Sequence, residues 1–232
     1  MLFCRQLAIR CLAPSVLVCL AAGFSAPPVM GTPDPRTVAH ALQEQVRRIE
    51  ARYRSLGAFR LEVETRYDSR TFGDEEVHKA VLHVVPPEHL RFDYSQPAGD
   101  WAVFDGQAWW LVSVDDREIT RHERQKGDLL PLVDLVSGKL DLLRVFSLRF
   151  SPDLPRDEGR TRLELIPRVP RDEIERVVLE CDGDTGTVHL IEVEDPIGGR
   201  TIWRLSEPVH EKPLPASSFR VIVPEGYLLS EN

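Results

Sequence analysis

The sequence predicts an α+β protein, a curved antiparallel sheet whose concave face is covered by one long N-terminal helix and a short helical insertion. Three observations predict it. Residues 35–56 repeat apolar side chains at three- and four-residue intervals, the period of a helix with one buried face. From Ala58 the period falls to two, and strand-like segments follow one another at short spacing to the C-terminus. No helix separates successive segments as a parallel sheet would need, apart from one leucine-rich stretch, GDLLPLVDLVSGKLDLLRVF, at residues 127–146.

The chain opens with Arg5 and Arg10 ahead of the apolar run CLAPSVLVCLAA, which small residues follow, the pattern of a secretory signal peptide. Cleavage is expected after Gly23, with Ala21 and Gly23 at the two small-residue positions, leaving residues 24–232 as a single domain. Cleavage after Ala26 would place Phe24 at one of those positions and Pro27 just beyond. A lipoprotein signal would need a small residue directly before its cysteine, yet Val18 precedes Cys19 and Arg10 precedes Cys11. Cys4, Cys11 and Cys19 depart with the leader, so Cys181 is alone in an oxidising compartment and no intramolecular disulfide is expected. The net charge of −8 deepens by two with the loss of Arg5 and Arg10. Such a surface repels polyphosphate and anionic headgroups, so no nucleic-acid partner is expected.

Asp34 suits a helix cap and Pro35 a first helical position. Val38, Leu42, Val46, Ile49, Tyr53 and Leu56 then form one stripe that stops at Gly57. In the strands that follow, Phe59, Leu61, Val63 and Thr65 alternate with Arg60, Glu62 and Glu64, and Leu90, Phe92 and Tyr94 alternate with Arg91, Asp93 and Ser95. Further strands are predicted in HKAVLHVV, WAVFD, AWWLVSV, EITRHE, RTRLELIPR, IERVVLEC, VHLIEVED, TIWRLSE and FRVIV, with turns at DYSQPAGD, FDGQ, CDGDTG and DPIGGR. The inward face of WAVFD stays open, because Trp101, Ala102, Val103 and Phe104 are all apolar. Internal repeats and low-complexity tracts are absent from the sequence.

Motifs for chemistry are missing: there is no G-x-S-x-G, H-E-x-x-H, C-x-x-C, G-x-G-x-x-G or Walker loop. The histidines are scattered, with His83 and His89 flanking a Pro-Pro turn and His122 beside Glu123. DGDTG at 182–186 lacks the spaced ligands and closing glutamate of a calcium loop and reads as a hairpin turn. Cys181 has no basic neighbour in sequence to make it a thiolate and reads as a packing residue. An enzyme is not expected, nor a metal or cofactor.

Within 127–146, Pro131 suits a helix start and Gly138 a helix end, predicting short helices over 131–137 and 139–145. Leu132, Leu135 and Val136 share a face of the first; Leu140 and Leu143 share a face of the second. The segment is too short and broken to span a bilayer. It is apolar on nearly every side except at Asp134, Lys139, Asp141 and Arg144, so it can rest on an apolar sheet in one state and lift in another. Ordinary core is the competing reading for leucines at helical spacing.

The series RFDYSQP at 91–97, FDGQAWWLV at 104–112, PLVDLVSGKLDLLRVF at 131–146, HLIEVEDPIGGRTIWRL at 189–205 and FRVIVPEG at 219–226 resembles the LolA family, periplasmic carriers of outer-membrane lipoproteins. The resemblance implies an incomplete, strongly curved antiparallel β-barrel closed by a helical lid over an apolar cavity. It implies a monomeric periplasmic protein that takes acylated lipoproteins from an inner-membrane lipoprotein-releasing ABC transporter and passes them to an outer-membrane receptor, LolB or an equivalent. The residues expected to line the cavity are Leu61, Val63, Leu90, Phe92, Tyr94, Trp101, Val103 and Trp110 on strands, with Leu132, Leu135, Val136, Leu140 and Leu143 from the insertion. Family members commonly carry a basic residue at the turn before the RFDYSQP strand, where it holds the lid. Pro86 stands there, followed by Pro87, and proline cannot donate. The closed state is therefore expected to rest on apolar contact alone. A sensor or carrier of another lipid on the same fold, like the RseB regulators, is the second reading, and an envelope hydrolase the third.

Overall fold

A computed structural model of the chain describes residues 34–68, 75–124, 131–153 and 158–231. The expected leader and its cleavage point lie outside the described residues, as does the stretch 127–130 that opens the insertion.

Helix α1 (Pro35–Ser55) begins at the expected proline and stops just short of Gly57. Its buried face is Gln45, Val46, Ile49 and Tyr53, while Arg52 and Arg54 in the last turn complement the negative end of the helix dipole. Two meanders follow. The first comprises β1 (Phe59–Asp68), β2 (Glu75–Val85), β3 (His89–Gln96), β4 (Ala98–Phe104), β5 (Ala108–Ser113) and β6 (Glu118–Glu123). The second comprises β7 (Phe146–Phe150), β8 (Arg160–Pro167), β9 (Arg176–Asp182), β10 (Val188–Glu194) and β11 (Arg200–Leu205). Between them sit helices α2 (Pro131–Val136) and α3 (Leu142–Val145). Two short strands end the chain, β12 (Val209–His210) and β13 (Leu228–Glu231).

All but β12 lie on one path, β13-β6-β5-β4-β3-β2-β1-β11-β10-β9-β8-β7. Strand β1 joins the meanders by pairing with β2 on one side and β11 on the other. The sheet is curved and does not close, since β13 and β7 end the path without meeting. Every pair is antiparallel except β13 with β6, which runs parallel.

The register sorts the side chains. Phe59, Leu61 and Val63 stand opposite Val84, Leu82 and Ala80, which in turn face Leu90, Phe92 and Tyr94. In the other wing Ile191 faces Leu179, which faces Leu163. These residues form the apolar concave face, and the buried stripe of α1 belongs to the same core. The helix is tied to the β9–β10 turn by polar bonds: Gln45 Nε2 donates to the Asp182 carbonyl at 3.1 Å, Arg48 to the Gly183 carbonyl at 2.7 Å, and the Val188 amide to the Tyr53 hydroxyl at 3.2 Å. The approach is close enough that a Cβ on Gly186, whose φ is +76°, would lie 2.6 Å from the Arg48 carbonyl carbon. DGDTG is the hairpin turn expected, and Asp182 Oδ1 closes it by accepting from the Asp184 and Thr185 amides. Cys181 is buried, and burial pushes its thiol up to about 12, as suits a packing residue.

The opposite face carries the alternate positions of the same strands, and these form a lattice of ion pairs. Arg149 grips Glu164 through two bonds of 2.8 and 2.9 Å; Arg160 reaches Glu180 at 3.0 Å; Arg200 reaches Asp68 at 3.1 Å and Glu192 at 3.5 Å. One strand expectation fails. FRVIV at 219–223 is not a strand; a 3₁₀ turn at Ala216–Phe219 leads into irregular chain, and the last strand comes later, at β13. Side chains hold the segment where a ladder was expected: Phe219 is buried with its ring 5.0 Å from that of His89, and Arg91 donates to the Ser218 carbonyl at 3.0 Å.

Candidate hydrophobic ligand site

An apolar cavity of about 360 Å³ lies between the first meander and helix α2. Its floor comes from inward positions of four neighbouring strands: Phe92 and Tyr94, Ala102, Trp109 and Leu111, and His122. The register explains this grouping, because Phe92 pairs with Ala102, Ala102 with Leu111 and Trp109 with His122. The regular β2–β3 register sets Tyr94 opposite Ala80 on the inner face, and it breaks only beyond that pair, at Lys79/Ala80 and, toward β4, at Asp93/Ser95. Aromatic rings pave the floor, with Phe92 stacked 6.1 Å from Tyr94 and Phe104 stacked 5.2 Å from Trp109. Trp203 comes from β11, and Pro131, Leu132 and Val133 of α2 form the cover. A larger hollow of about 480 Å³ is bounded by the charged Glu62, Glu64, Lys79 and Arg204, so its chemistry does not suit an apolar ligand.

The cover is held by charges as well as by apolar contact. Asp134, buried within α2, pairs with Arg124 at the end of β6, whose guanidinium also sits 5.9 Å over the Phe104 ring. Lys139, just past the helix, pairs with Glu88 in the Pro-Pro turn, and its hydrogen bond holds the Glu88 carboxyl below the usual carboxylate value. The expectation that apolar contact alone closes the lid is therefore corrected. Pro86 and Pro87 offer no donor, but the neighbouring residue supplies an acceptor, and the base is on the lid. Gly138 ends the lid helix at φ +67°, with the backbone of Tyr53 and Arg54 3.2 Å from where a Cβ would stand. Leu142 N donates to Glu50 Oε1 of α1 at 3.0 Å, which anchors the far end of the insertion.

The sequence-predicted residues divide into four groups. Phe92, Tyr94 and Leu132 line the cavity. Leu61, Val63, Leu90, Leu135 and Val136 lie in the packed core and do not reach the cavity wall, while Leu140 packs against the core only in part. Trp101, Val103 and Trp110 occupy the alternate, outward positions; Arg91 covers the Trp101 ring at 4.8 Å and Arg121 the Trp110 ring at 5.4 Å. Leu143 is 38% exposed, because the second helix is one turn, Leu142–Val145, where 139–145 was predicted. Ala102, Trp109, Leu111, His122, Val133 and Trp203 were not singled out, although alternation about Phe92 reaches the first three once the register is known. His122 is the one imidazole among the described residues of this lining.

A profile of the family described as outer membrane lipoprotein carrier protein LolA matches residues 72–222. The chain belongs to the LolA family. The match runs from just before β2 to the segment preceding β13 and takes in the cavity floor and the described residues of the lid. The outer-membrane lipoprotein carrier protein of Methylobacillus flagellatus is 26% identical over 140 residues, 60% of this chain and 66% of that protein. That of Dechloromonas aromatica is 26% identical over 158 residues, 68% of this chain and 74% of that protein. Among solved structures, an uncharacterized conserved protein from Thermus thermophilus superposes with a TM-score of 0.51 at 11% identity, over 83% of this chain and 99% of that one, a likeness of fold. No helix among the described residues is long and apolar enough to cross a membrane.

Proposed function

We propose that this LolA-family chain is a periplasmic carrier that shields lipoprotein acyl chains between the inner and the outer membrane. In this reading it loads from an inner-membrane ABC transporter and unloads to an outer-membrane receptor, without chemistry of its own. The observation that carries it is an aromatic-floored cavity whose cover is a separate helix tied down by two ion pairs. Each exposed methylene costs about 0.8 kcal/mol in water, so acyl chains need an enclosed apolar path through an aqueous compartment.

Size adds a requirement. The cavity of about 360 Å³ is small beside the acyl chains of a lipoprotein and is open on one side. Enclosing those chains fully calls for α2 to move outward. Native mass spectrometry of protein purified from the periplasm tests the function. Co-purified acylated protein is the expected result; turnover of lipid esters would make it a hydrolase, and a chain devoid of any acylated ligand would remove the carrier reading.

A further inference from the structure

Beside the cavity, and sharing Tyr94, Ala102 and Leu111 with it, lies a second hollow of about 210 Å³. Its remaining wall joins Pro97, Trp101 and Val112 to three polar groups, Asp100, His78 and Ser113. Two of these are already engaged: His78 Nε2 meets Glu76 Oε1 at 2.7 Å, and the Ser113 hydroxyl donates to Asp116 at 2.8 Å. Asp100 uses Oδ1 to accept from the Val114 amide at 2.9 Å, and Oδ2 bonds no described residue. The Tyr94 ring is fixed between Phe92 and the edge of His78, while its hydroxyl bonds no described residue. Burial and, after it, the charge of Asp100 hold the Tyr94 hydroxyl above its ordinary pKa, so the phenol is a neutral donor within the field of the carboxylate. Neither lysine nor arginine is among the described residues lining this hollow.

We propose that this recess seats the neutral head of a lipid-modified peptide terminus, with the Tyr94 hydroxyl donating to an acyl carbonyl and Asp100 accepting an amide N–H, and that Asp100 excludes phospholipids. The inference rests on the carrier reading and adds selectivity to it. A lipid joined to protein through a thioether and an amide presents carbonyls and an N–H but no phosphate. Every phosphoglyceride of the surrounding membranes presents a phosphodiester anion. In this recess that anion would meet the Asp100 carboxylate, while Arg91, the cation over its Trp101 wall, is already paired with Asp93, and like charges brought together out of bulk water repel strongly. The apolar cavity accepts either kind of chain, so discrimination falls to the recess.

The test is displacement of a fluorescent fatty acid from the leaderless protein by two competitors, an N-palmitoyl, S-diacylglyceryl cysteine peptide and phosphatidylglycerol. The unmodified protein should prefer the lipopeptide by about tenfold or more, the scale of one unfavourable charge contact of about 1.4 kcal/mol. Asp100→Asn keeps an acceptor for the Val114 amide and should shrink that ratio several-fold; Asp100→Lys should shrink it further. Tyr94→Phe removes one hydrogen bond and should lower lipopeptide affinity by roughly three- to tenfold. Equal affinity for the two competitors, or a ratio that neither Asp100 variant moves, overturns the recess and leaves the carrier reading standing. A lipopeptide that displaces no probe at all overturns both.

Discussion

Two adjacent tryptophans show how much a single register decides. Trp109 stands on the cavity floor against Phe104 and Phe92, whereas Trp110 points the other way, donates its indole N–H to Asp105 at 2.9 Å and lies under Arg121. Trp109→Ala should therefore weaken acyl-chain binding by roughly tenfold or more, as follows from losing about 1.5–3 kcal/mol of apolar burial. Trp110→Ala should leave ligand binding within a small factor and lower the melting temperature instead. Fatty-acid titration and thermal melting of the two variants check both halves, and an equal loss of binding would mean that the faces are misassigned. The pair AWWLV was not legible in the sequence because apolar residues occupy both parities, as in WAVFD. An alternation such as Arg91-Phe92-Asp93 states its own face; two tryptophans in a row need the partner strand to decide.

At the scale of elements, the lid and the helix contact behave differently. The lid is short, and charge pairs hold it within α2 and just past its end, so Lys139→Met should favour opening. Release of bound fatty acid should accelerate several-fold, since an exposed pair contributes at most about 1 kcal/mol, and reversing the pair with Glu88→Lys and Lys139→Glu together should restore the slower rate. Release unaffected by Lys139→Met would place closure in the apolar contacts alone. Helix α1 has no such freedom at Gly186, where the left-handed backbone and the Arg48 carbonyl carbon 2.6 Å from a would-be Cβ both forbid a side chain. Gly186→Ala should cost about 2 kcal/mol or more and lower the melting temperature by roughly 4–8 °C. The lid was legible as an apolar segment between Pro131 and Gly138. Its fastenings were not: Asp134 in an otherwise apolar helix advertised a cationic partner, but which arginine answers depends on β6 ending beside it.

For the whole molecule, the two faces of one sheet have opposite chemistries, and the outer one sets a pH dependence. Glu164 is held below the usual carboxylate range by its hydrogen bonds from Arg149, and Asp182 by those from Thr185. A carboxyl whose folded pKa is depressed contributes stability that is complete above its unfolded value, about 4.3 for glutamate and 3.9 for aspartate, and is lost as pH falls through the depressed value. The melting temperature should be nearly flat from pH 8 to about pH 5 and fall below about pH 4, with Glu164→Gln less sensitive in that acid range. A steep loss already at pH 6 would point to histidines instead. The strand content and the long helix could be read from periodicity. The order of the strands could not, because the chain does not say that β1 joins the two meanders, nor that β13 returns to lie parallel beside β6.

That central place of β1 has a consequence in time. Val63 pairs with Leu205, so one edge of the strand at the start of the domain waits for residues near its end. A chain emerging N-terminus first can complete the β1–β6 meander on its own, yet it presents the bare edge of β1 until β11 arrives. Long-range pairing of this kind slows folding, and an unpaired strand edge invites association with other chains. The nascent protein is thus most prone to misassociation after its first half has formed, and holding factors would have to protect that interval. A fragment ending at Glu123 should bind such factors more persistently than the full-length chain.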